Sequence, residues 1–468
     1  MGNPNDSFIQ NRTFDEIQPG DSVQITRTLN DQDIQLFAAI SGDVNPTHLD
    51  PEFAHSGQFR EIVGHSLWSS TLISAILGNE FPGPGTVYVS QNVNFYRPVT
   101  VGDTLTVTVT CREKHDHNHH ITFDCQAVNQ TGLRVIGGDA VVSAPTEKIR
   151  RPRIAPPEVT VADREARYRR LLSVTEGLPP VRIAVAYPCD ADSLLGPIQA
   201  AEAGLVTPIL VGPEKKIRAL AETQELNIAN FRIVDVDDEH QAARAAVALC
   251  RDNGVDALMK GSLHTDHLMS AVVSKENGLR TARRISHVFL ADVPSYPRLL
   301  LITDAAVNIA PSLQEKADII QNAIELSRML GVEEPKVAIL AAVETINPKM
   351  ITTLEAAALC KMADRGQIKG GLLDGPLAFD NAVSSKAAKI KGIHSPVAGQ
   401  ADILAVPNIE AGNMIAKQLE YLAGALMGGI VLGARVPIVL TSRADTPRTR
   451  AVSCAIAQLM AHRHREVK

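Results

Sequence analysis

Basic side chains next to serine, threonine and glycine recur at three points in the second half of this chain. Met259-Lys260-Gly261-Ser262-Leu263-His264-Thr265-Asp266 closes an apolar run and opens a helical one. Thr441-Ser442-Arg443-Ala444-Asp445-Thr446-Pro447-Arg448 does the same near the C-terminus, and Leu279-Arg280-Thr281-Ala282-Arg283-Arg284 adds a further basic cluster. Backbone N–H groups at a helix start, joined by lysine or arginine, make a seat for phosphate. Taken singly, each stretch is accounted for by a helix cap or a solvated basic turn; together they point to a phosphorylated ligand. The first third holds a different set, Asp43-Val44-Asn45-Pro46-Thr47-His48-Leu49-Asp50. A carboxylate and an imidazole can pass protons to and from a substrate, although the same residues also suit a plain turn with Asx hydrogen bonds. His115-Asp116-His117-Asn118-His119-His120 invites a metal reading. It lies between two strand patterns and lacks the separated ligands of a closed zinc site, so it reads as a solvated hairpin tip.

The elements that must position these residues change character at a proline-rich seam. Four prolines among basic residues at 145–157 fix φ and remove backbone donors, which reads as a semi-rigid linker over 145–160. Before it, residues 33–40 look like a short amphipathic helix. The spacing of Leu67, Trp68, Leu72, Ile73, Ile76 and Leu77 predicts a helix buried on most sides. Four alternating strand patterns follow, around Val87–Phe95, Leu105–Cys111, 121–129 and 133–143, so one helix wrapped by an antiparallel sheet is expected over 1–144. After the seam, short continuous apolar runs alternate with amphipathic helices through 161–468, the mark of a parallel sheet covered on both faces. The runs are too numerous for one tidy sheet, which predicts two α/β subdomains with a cleft between them.

Composition narrows the function classes. The chain has 468 residues, 45% hydrophobic and 21% charged, with a net charge of −6. That charge argues against general nucleic-acid binding while leaving room for a local basic pocket. Six scattered cysteines without a C-x-x-C pair read as reduced thiols in a cytoplasmic protein. The first residues have no signal-peptide layout. The apolar stretch 421–434 falls short of the ~20 residues a membrane span needs. No Walker or Gly-x-Gly-x-x-Gly motif stands at a strand end.

With those elements in place, Ser41-Gly42-Asp43-x-Asn45-Pro46-x-His48-Leu49-Asp50, then Gly64-His65, then Leu77-Gly78, Pro82-Gly83-Pro84-Gly85, Tyr88 and Ser90-Gln91, resembles the hotdog-fold MaoC-like (R)-specific enoyl-CoA hydratases over roughly residues 10–144. The resemblance implies that Asp43 and His48 activate one water for syn addition across a trans-2-enoyl thioester; Asn45, between them, is a candidate substrate-binding residue. The family has a glycine after the histidine where this chain has Ser66. That residue's N–H would polarise the thioester carbonyl, and Ser74 matches the family serine that orders the same carbonyl site.

The later segments resemble the phosphate acetyl/butyryltransferases from about 165 to 468. They are Pro188-Cys189-Asp190, Ile209-Leu210-Val211-Gly212-Pro213, 259–266, Ile302-Thr303-Asp304-Ala305-Ala306-Val307-Asn308-Ile309, Asp374-Gly375-Pro376-Leu377-Ala378-Phe379-Asp380, Glu410-Ala411-Gly412-Asn413-Met414 and Thr441-Ser442-Arg443. This implies reversible acyl transfer between coenzyme A and inorganic phosphate, with Arg443 on the phosphoryl group and Ser442 assisting at the thioester. Lys260, Ser262, Arg280, Arg284 and Arg448 are the further candidate phosphate ligands. The family's proposed base, an aspartate seven residues after the serine, is replaced here by Thr449; Asp445 is the nearest substitute.

The expectation is a multidomain enzyme of two activities, an α+β hotdog hydratase unit joined to an α/β acyltransferase unit. Its substrates would be acyl-CoA, acyl phosphate and phosphate, with no metal or other cofactor, no nucleic-acid or membrane partner, and homo-oligomeric assembly implied by both resemblances. Two alternatives are a transferase whose hotdog unit only binds or dimerises, and a transferase-like unit that senses acyl-CoA without catalysis.

Overall fold

The computed structural model describes residues 8–155, 159, 164–440 and 445–466, and the chain divides into two compact units, Met1–Ala162 and Asp163–Lys468.

The first unit opens with β1 (Phe8–Gln10), β2 (Ser22–Thr28) and α1 (Asp31–Ser41). Asn30 caps α1 by accepting from the Asp33 N–H while Asp33 returns a bond to the Asn30 N–H, and Gly42 in the left-handed region ends the helix. Two short helices, α2 (Pro46–Leu49) and α3 (Pro51–Ser56), follow, each started by a proline in its first turn and capped by Asn45 and Asp50 respectively. Helix α4 (Ser66–Asn79) buries Trp68, Ile73, Ile76 and Leu77. Strands β3 (Val87–Phe95), β4 (Thr104–His115), β5 (His120–Val128) and β6 (Arg134–Ser143) complete an antiparallel sheet of order β2-β4-β5-β6-β3. The inward faces of β4 and β5, Leu105, Val107, Val109, Ile121, Phe123 and Cys125, pack with α4 in one core. This is the expected helix wrapped by a sheet. The histidine-rich segment is the hairpin between β4 and β5, with His115 opposite His120.

One feature of the seam differs from expectation. Arg150–Pro152 forms a strand, β7, paired antiparallel with β1. Proline stands only at its end, where a missing N–H costs no ladder bond.

The second unit contains α5 (Arg164–Leu172), β8 (Val181–Ala186), α6 (Ala191–Glu202), β9 (Val206–Gly212), α7 (Glu214–Thr223), β10 (Arg232–Asp235), α8 (Glu239–Arg251), β11 (Ala257–Lys260) and α9 (Thr265–Val272). Next come β12 (Ser286–Asp292), β13 (Leu299–Thr303), α10 (Leu313–Met329), β14 (Lys336–Leu340), α11 (Ile351–Asp364) and β15 (Leu372–Leu377). The chain ends with α12 (Phe379–Val383), α13 (Ser385–Ile390), β16 (Ile403–Ala405), α14 (Ile409–Tyr421), β17 (Leu426–Leu432), β18 (Ile438–Val439) and α15 (Pro447–Glu466). The apolar stretch 421–434 is thus the end of α14 plus β17. Among the described residues no helix is long and apolar enough to cross a membrane.

These strands do not split into two sheets. All eleven join in one, of order β10-β9-β8-β11-β18-β17-β12-β13-β16-β14-β15. The block β10, β9, β8, β11 and β18 is parallel; β13, β16, β14 and β15 form a second parallel block running the opposite way, and antiparallel β17 and β12 reverse the direction between them. One face carries a single core continuous across both blocks, crossed by the buried helix α15 through Val452, Ile456 and Met460. The other face carries two separate cores, one under α8 and α9 and one under α13 and α14. The two lobes expected from the sequence thus share one sheet and one continuous core, and are separated on the other face.

Candidate functional sites

In the first unit the acidic-histidine loop becomes α2 and its lead-in. The Asp43 carboxylate lies 4.0 Å from His48 Nε2, beyond direct hydrogen bonding, so both atoms can share one small ligand. His48 Nδ1 is engaged at 2.7 Å by the Val63 carbonyl, which makes Nδ1 the donor and leaves Nε2 facing Asp43. The His48 ring stacks 4.0 Å from that of His65, whose Nε2 reaches the Asp43 carbonyl at 3.0 Å. Asn45 acts on the loop itself: its N–H donates to Asp43 Oδ1 and its side chain caps Thr47. Ser66 is the first residue of α4, and the preceding His65 makes no side-chain cap. Its N–H is therefore one of the unpaired donors at the positive end of that helix. Ser74 stands two turns further on, about 12 Å along the axis. Its hydroxyl bonds to Tyr88, opposing the burial that pushes the Tyr88 phenol up to about 12. The structure thus unites Asp43, Asn45 and His48 and separates Ser74 from Ser66.

In the second unit the strand ends converge. Met259 is paired with Val439, Val439 with Ile430, Ile430 with Val288, Val288 with Thr303 and Thr303 with Ala405. The carboxyl ends of β18, β13 and β16 thus share one row of the sheet, with Lys260 one step beyond it. Opposed strand ends leave a crevice where helices depart to either side, the place where open α/β sheets bind ligands. A cavity of about 460 Å³ occupies that point, lined by Lys260, His264, His287, Asn413, Lys417 and Asp445 among others.

Each lining residue is placed by a local device. Lys260 ends β11 with its ammonium buried in the wall. His264 and Thr265 open α9, whose N-cap side chain makes no capping bond, and both line the cavity. Asn413 donates to the Ala305 carbonyl at 3.3 Å, tying α14 to the end of β13. Gly412 permits that approach, because a Cβ there would lie 2.6 Å from the Asp304 carbonyl oxygen. Partial burial works against the charge of Lys417, but its 2.9 Å pair with Glu420, assisted by Asp445, holds the ammonium above its ordinary pKa. It remains a cation at neutral pH.

Several sequence candidates lie elsewhere. Ser262 donates to the Tyr187 carbonyl and accepts from the Cys189 N–H, a structural clamp between strand ends. Arg284 is bound to Asn308 and Glu315, and Asn308 in turn to Asp304, so it braces the end of β13 instead of lining the cavity. Arg280 is exposed on a bridge to Ala434. Arg448 sits over the Tyr168 ring. The expected third basic seat is thus a brace. Buried Thr449 shares a 3.0 Å hydroxyl contact with Thr446 in the first turn of α15. Ser442 and Arg443 lie outside the described residues; Leu440 and Asp445, the described residues on either side, both line the cavity.

Sequence reasoning missed His287, Phe289 and Lys417. His287 and Phe289 alternate with the core residues Val288 and Leu290, so their period marked a strand and hid which face met the cavity. Lys417 falls one helical turn after Asn413, a spacing that would have placed both on one side of α14.

Residues 238–458 match the family model described as phosphate acetyl/butaryl transferase, and residues 15–131 match that of the MaoC like domain. Over 300 residues, 64% of this chain and 95% of the relative, the sequence is 59% identical to a phosphate acetyltransferase of Rhizobium meliloti. The chain belongs to the phosphate acetyl/butyryltransferase family. Its first unit carries a MaoC-like hotdog domain. This transferase is also 41% identical to a phosphate butyryltransferase of Clostridium beijerinckii, covering 64% of this chain and 99% of that one. In structure it is similar to a branched-chain phosphotransacylase from Enterococcus faecalis V583, with a TM-score of 0.53 and 30% identity over 60% of this chain and 99% of that one.

Proposed function

We propose that the chain is a bifunctional acyl-CoA enzyme, exchanging acyl groups between coenzyme A and phosphate in its second unit and hydrating (R)-specifically an enoyl-CoA in its first. The observation that carries the transferase half is the cavity at the meeting of the two strand blocks, where Lys260 and Lys417 supply cations and Asp445 a carboxylate. Acyl phosphate binds with its phosphoryl group toward Lys260, Lys417 and Arg443. Asp445 takes the thiol proton of coenzyme A, and the thiolate attacks the acyl carbon with Ser442 hydrogen-bonding at that centre. The bond from carbon to the bridging oxygen breaks, and phosphate leaves with its charge held by the same cations. The proton on Asp445 departs with the phosphate.

The hydratase half is supported by the shared gap between Asp43 and His48. A water there loses a proton to Asp43 as its oxygen adds to C3 of the enoyl thioester. His48, protonated, delivers a proton from Nε2 to C2 on the same side, and the proton left on Asp43 restores it. The N–H of Ser66 faces the developing negative charge on the thioester oxygen. Coenzyme A thioesters and phosphate are substrates in this account, and no metal or further cofactor is required.

Thioester formation from acetyl or butyryl phosphate and coenzyme A tests the first activity; Arg443→Ala is expected to lower it by about 10²–10³. Unchanged turnover in that variant would remove the phosphoryl assignment. Loss of crotonyl-CoA absorbance tests the second, and an active Asp43→Asn variant would remove the proton-transfer assignment.

A further inference from the structure

His287 stands apart from the charged residues around it. Its ring is completely buried, yet it forms part of the cavity wall, and neither Nδ1 nor Nε2 has a hydrogen-bond partner among the described residues. A buried polar group without a partner is costly and calls for a reason. The placement is built, not accidental. The backbone N–H of His287 donates to Asp304 Oδ2 at 3.1 Å, and its carbonyl accepts from Thr303 Oγ1 at 2.8 Å. The ring meets that of Phe289 edge-on at 4.4 Å, with an interplanar angle of 73°. Gly429 leaves room for the ring to pack closely: a Cβ there would come within 3.1 Å of His287 Nε2 and 3.4 Å of the Leu440 carbonyl oxygen. Aromatic packing, backbone anchoring and the missing Cβ of Gly429 hold an imidazole one residue from the row where the strand ends converge.

We propose that His287 donates a hydrogen bond to the acyl carbonyl oxygen in the transferase cavity, stabilising the oxyanion formed as sulfur or phosphate oxygen adds to the acyl carbon. The proposal rests on the transferase reading of this cavity. Burial, opposed by the charge of Asp304, lowers the imidazole pKa to about 4, so at neutral pH the ring carries one N–H and one lone pair. A neutral N–H suits an oxygen that is uncharged in the substrate and becomes charged only as the bond forms. Phosphate, charged throughout, is matched instead by the lysines. The same burial makes His287 a poor acceptor for a thiol proton, a role that falls to the carboxylate of Asp445. No bond to His287 forms or breaks; its proton is shared with the oxyanion and retained when the tetrahedral centre collapses.

Full-length protein is assayed with acetyl phosphate and coenzyme A, comparing wild type with His287→Leu, which fills the space without a donor, and His287→Gln, which restores an N–H. Leucine is expected to lower kcat by about 10²–10³ while KM for both substrates stays close to wild type, and glutamine to recover at least about tenfold over leucine. A folded leucine variant with kcat near wild type, or a glutamine variant as slow as leucine, overturns the proposal. If leucine prevents folding, a stable glutamine variant slower than about one-hundredth of wild type overturns it. Absence of transfer in the wild type refutes the transferase reading and the proposal with it. An active wild type with an active leucine variant refutes the proposal alone.

Discussion

Acid should destabilise the second unit through one side chain. His287 is fully buried, and burial lowers its pKa from 6.5 to about 4 against the smaller opposing effect of Asp304. The unfolded chain recovers the ordinary value. Between the two values the unfolded state binds a proton that the folded state refuses, so stability falls as pH falls, beginning near 6.5 and levelling off near 4. At 1.36 kcal/mol per pKa unit the full effect is about 3 kcal/mol, a large fraction of a typical unfolding free energy. Above pH 7 both states hold the ring neutral and the contribution vanishes. The assay is urea unfolding at a series of pH values, wild type against His287→Gln, which cannot titrate. Trp68, the sole tryptophan, lies in the core of the first unit. Its fluorescence therefore follows that unit, and far-UV circular dichroism adds the second. Carboxylates remote from His287 cancel in the difference, whereas Asp304, which interacts with the ring, remains part of the effect measured. The wild type is expected to lose about 3 kcal/mol more than the variant between pH 7 and pH 4. Parallel pH profiles for the two proteins would refute the reasoning.

Further outcomes follow from the same geometry. Asp43→Asn should lower crotonyl-CoA hydration by about 10²–10⁴ and leave thioester formation from acyl phosphate unaffected, measured on one preparation. Gly412→Ala places a methyl 2.6 Å from the Asp304 carbonyl oxygen and 2.8 Å from Val406. It should cost about 1–3 kcal/mol, visible as a lowered Tm, with reduced transferase kcat as Asn413 and Lys417 shift. Arg284→Ala should lower Tm and leave KM for phosphate unchanged, because its partners are Asn308 and Glu315. A raised phosphate KM would return Arg284 to the site. Burial pushes the thiols of Cys125, Cys250, Cys360 and Cys454 up to about 12 and that of Cys189 to about 11. A thiol reagent at pH 8 should therefore react slowly with native protein and quickly after denaturation. Prompt reaction of the native thiols would contradict this burial.

The amino-acid sequence by itself determined what depends on near neighbours along the chain. Apolar alternation in β4 and β5, the helical spacing of Trp68, Ile73, Ile76 and Leu77, and the Asp43–Asn45–His48 loop were all legible, because strand pleat, helix period and turn hydrogen bonds are set within a few residues. Strand β2 escaped notice because its pattern rests on only two half-buried apolar residues, Val23 and Ile25, at a sheet edge. The change from alternating strands to β-α repeats likewise announced two unlike units. What tertiary structure alone decided is long-range pairing. Arg284 and Lys260 look alike as basic residues at strand boundaries, yet one braces Asn308 and Glu315 while the other lines the cavity. Ser262 matched a phosphate seat in composition, but its hydroxyl is spent on Tyr187. His287 and Lys417 meet across 130 residues of sequence only because β12 and α14 flank the same crevice. The joining of eleven strands into one sheet followed from the antiparallel turn of β12 and β17, a register set by hydrogen bonds between distant segments. No local periodicity encodes such a register, since residues far apart in the chain become partners only when the backbone closes its ladder around a shared core.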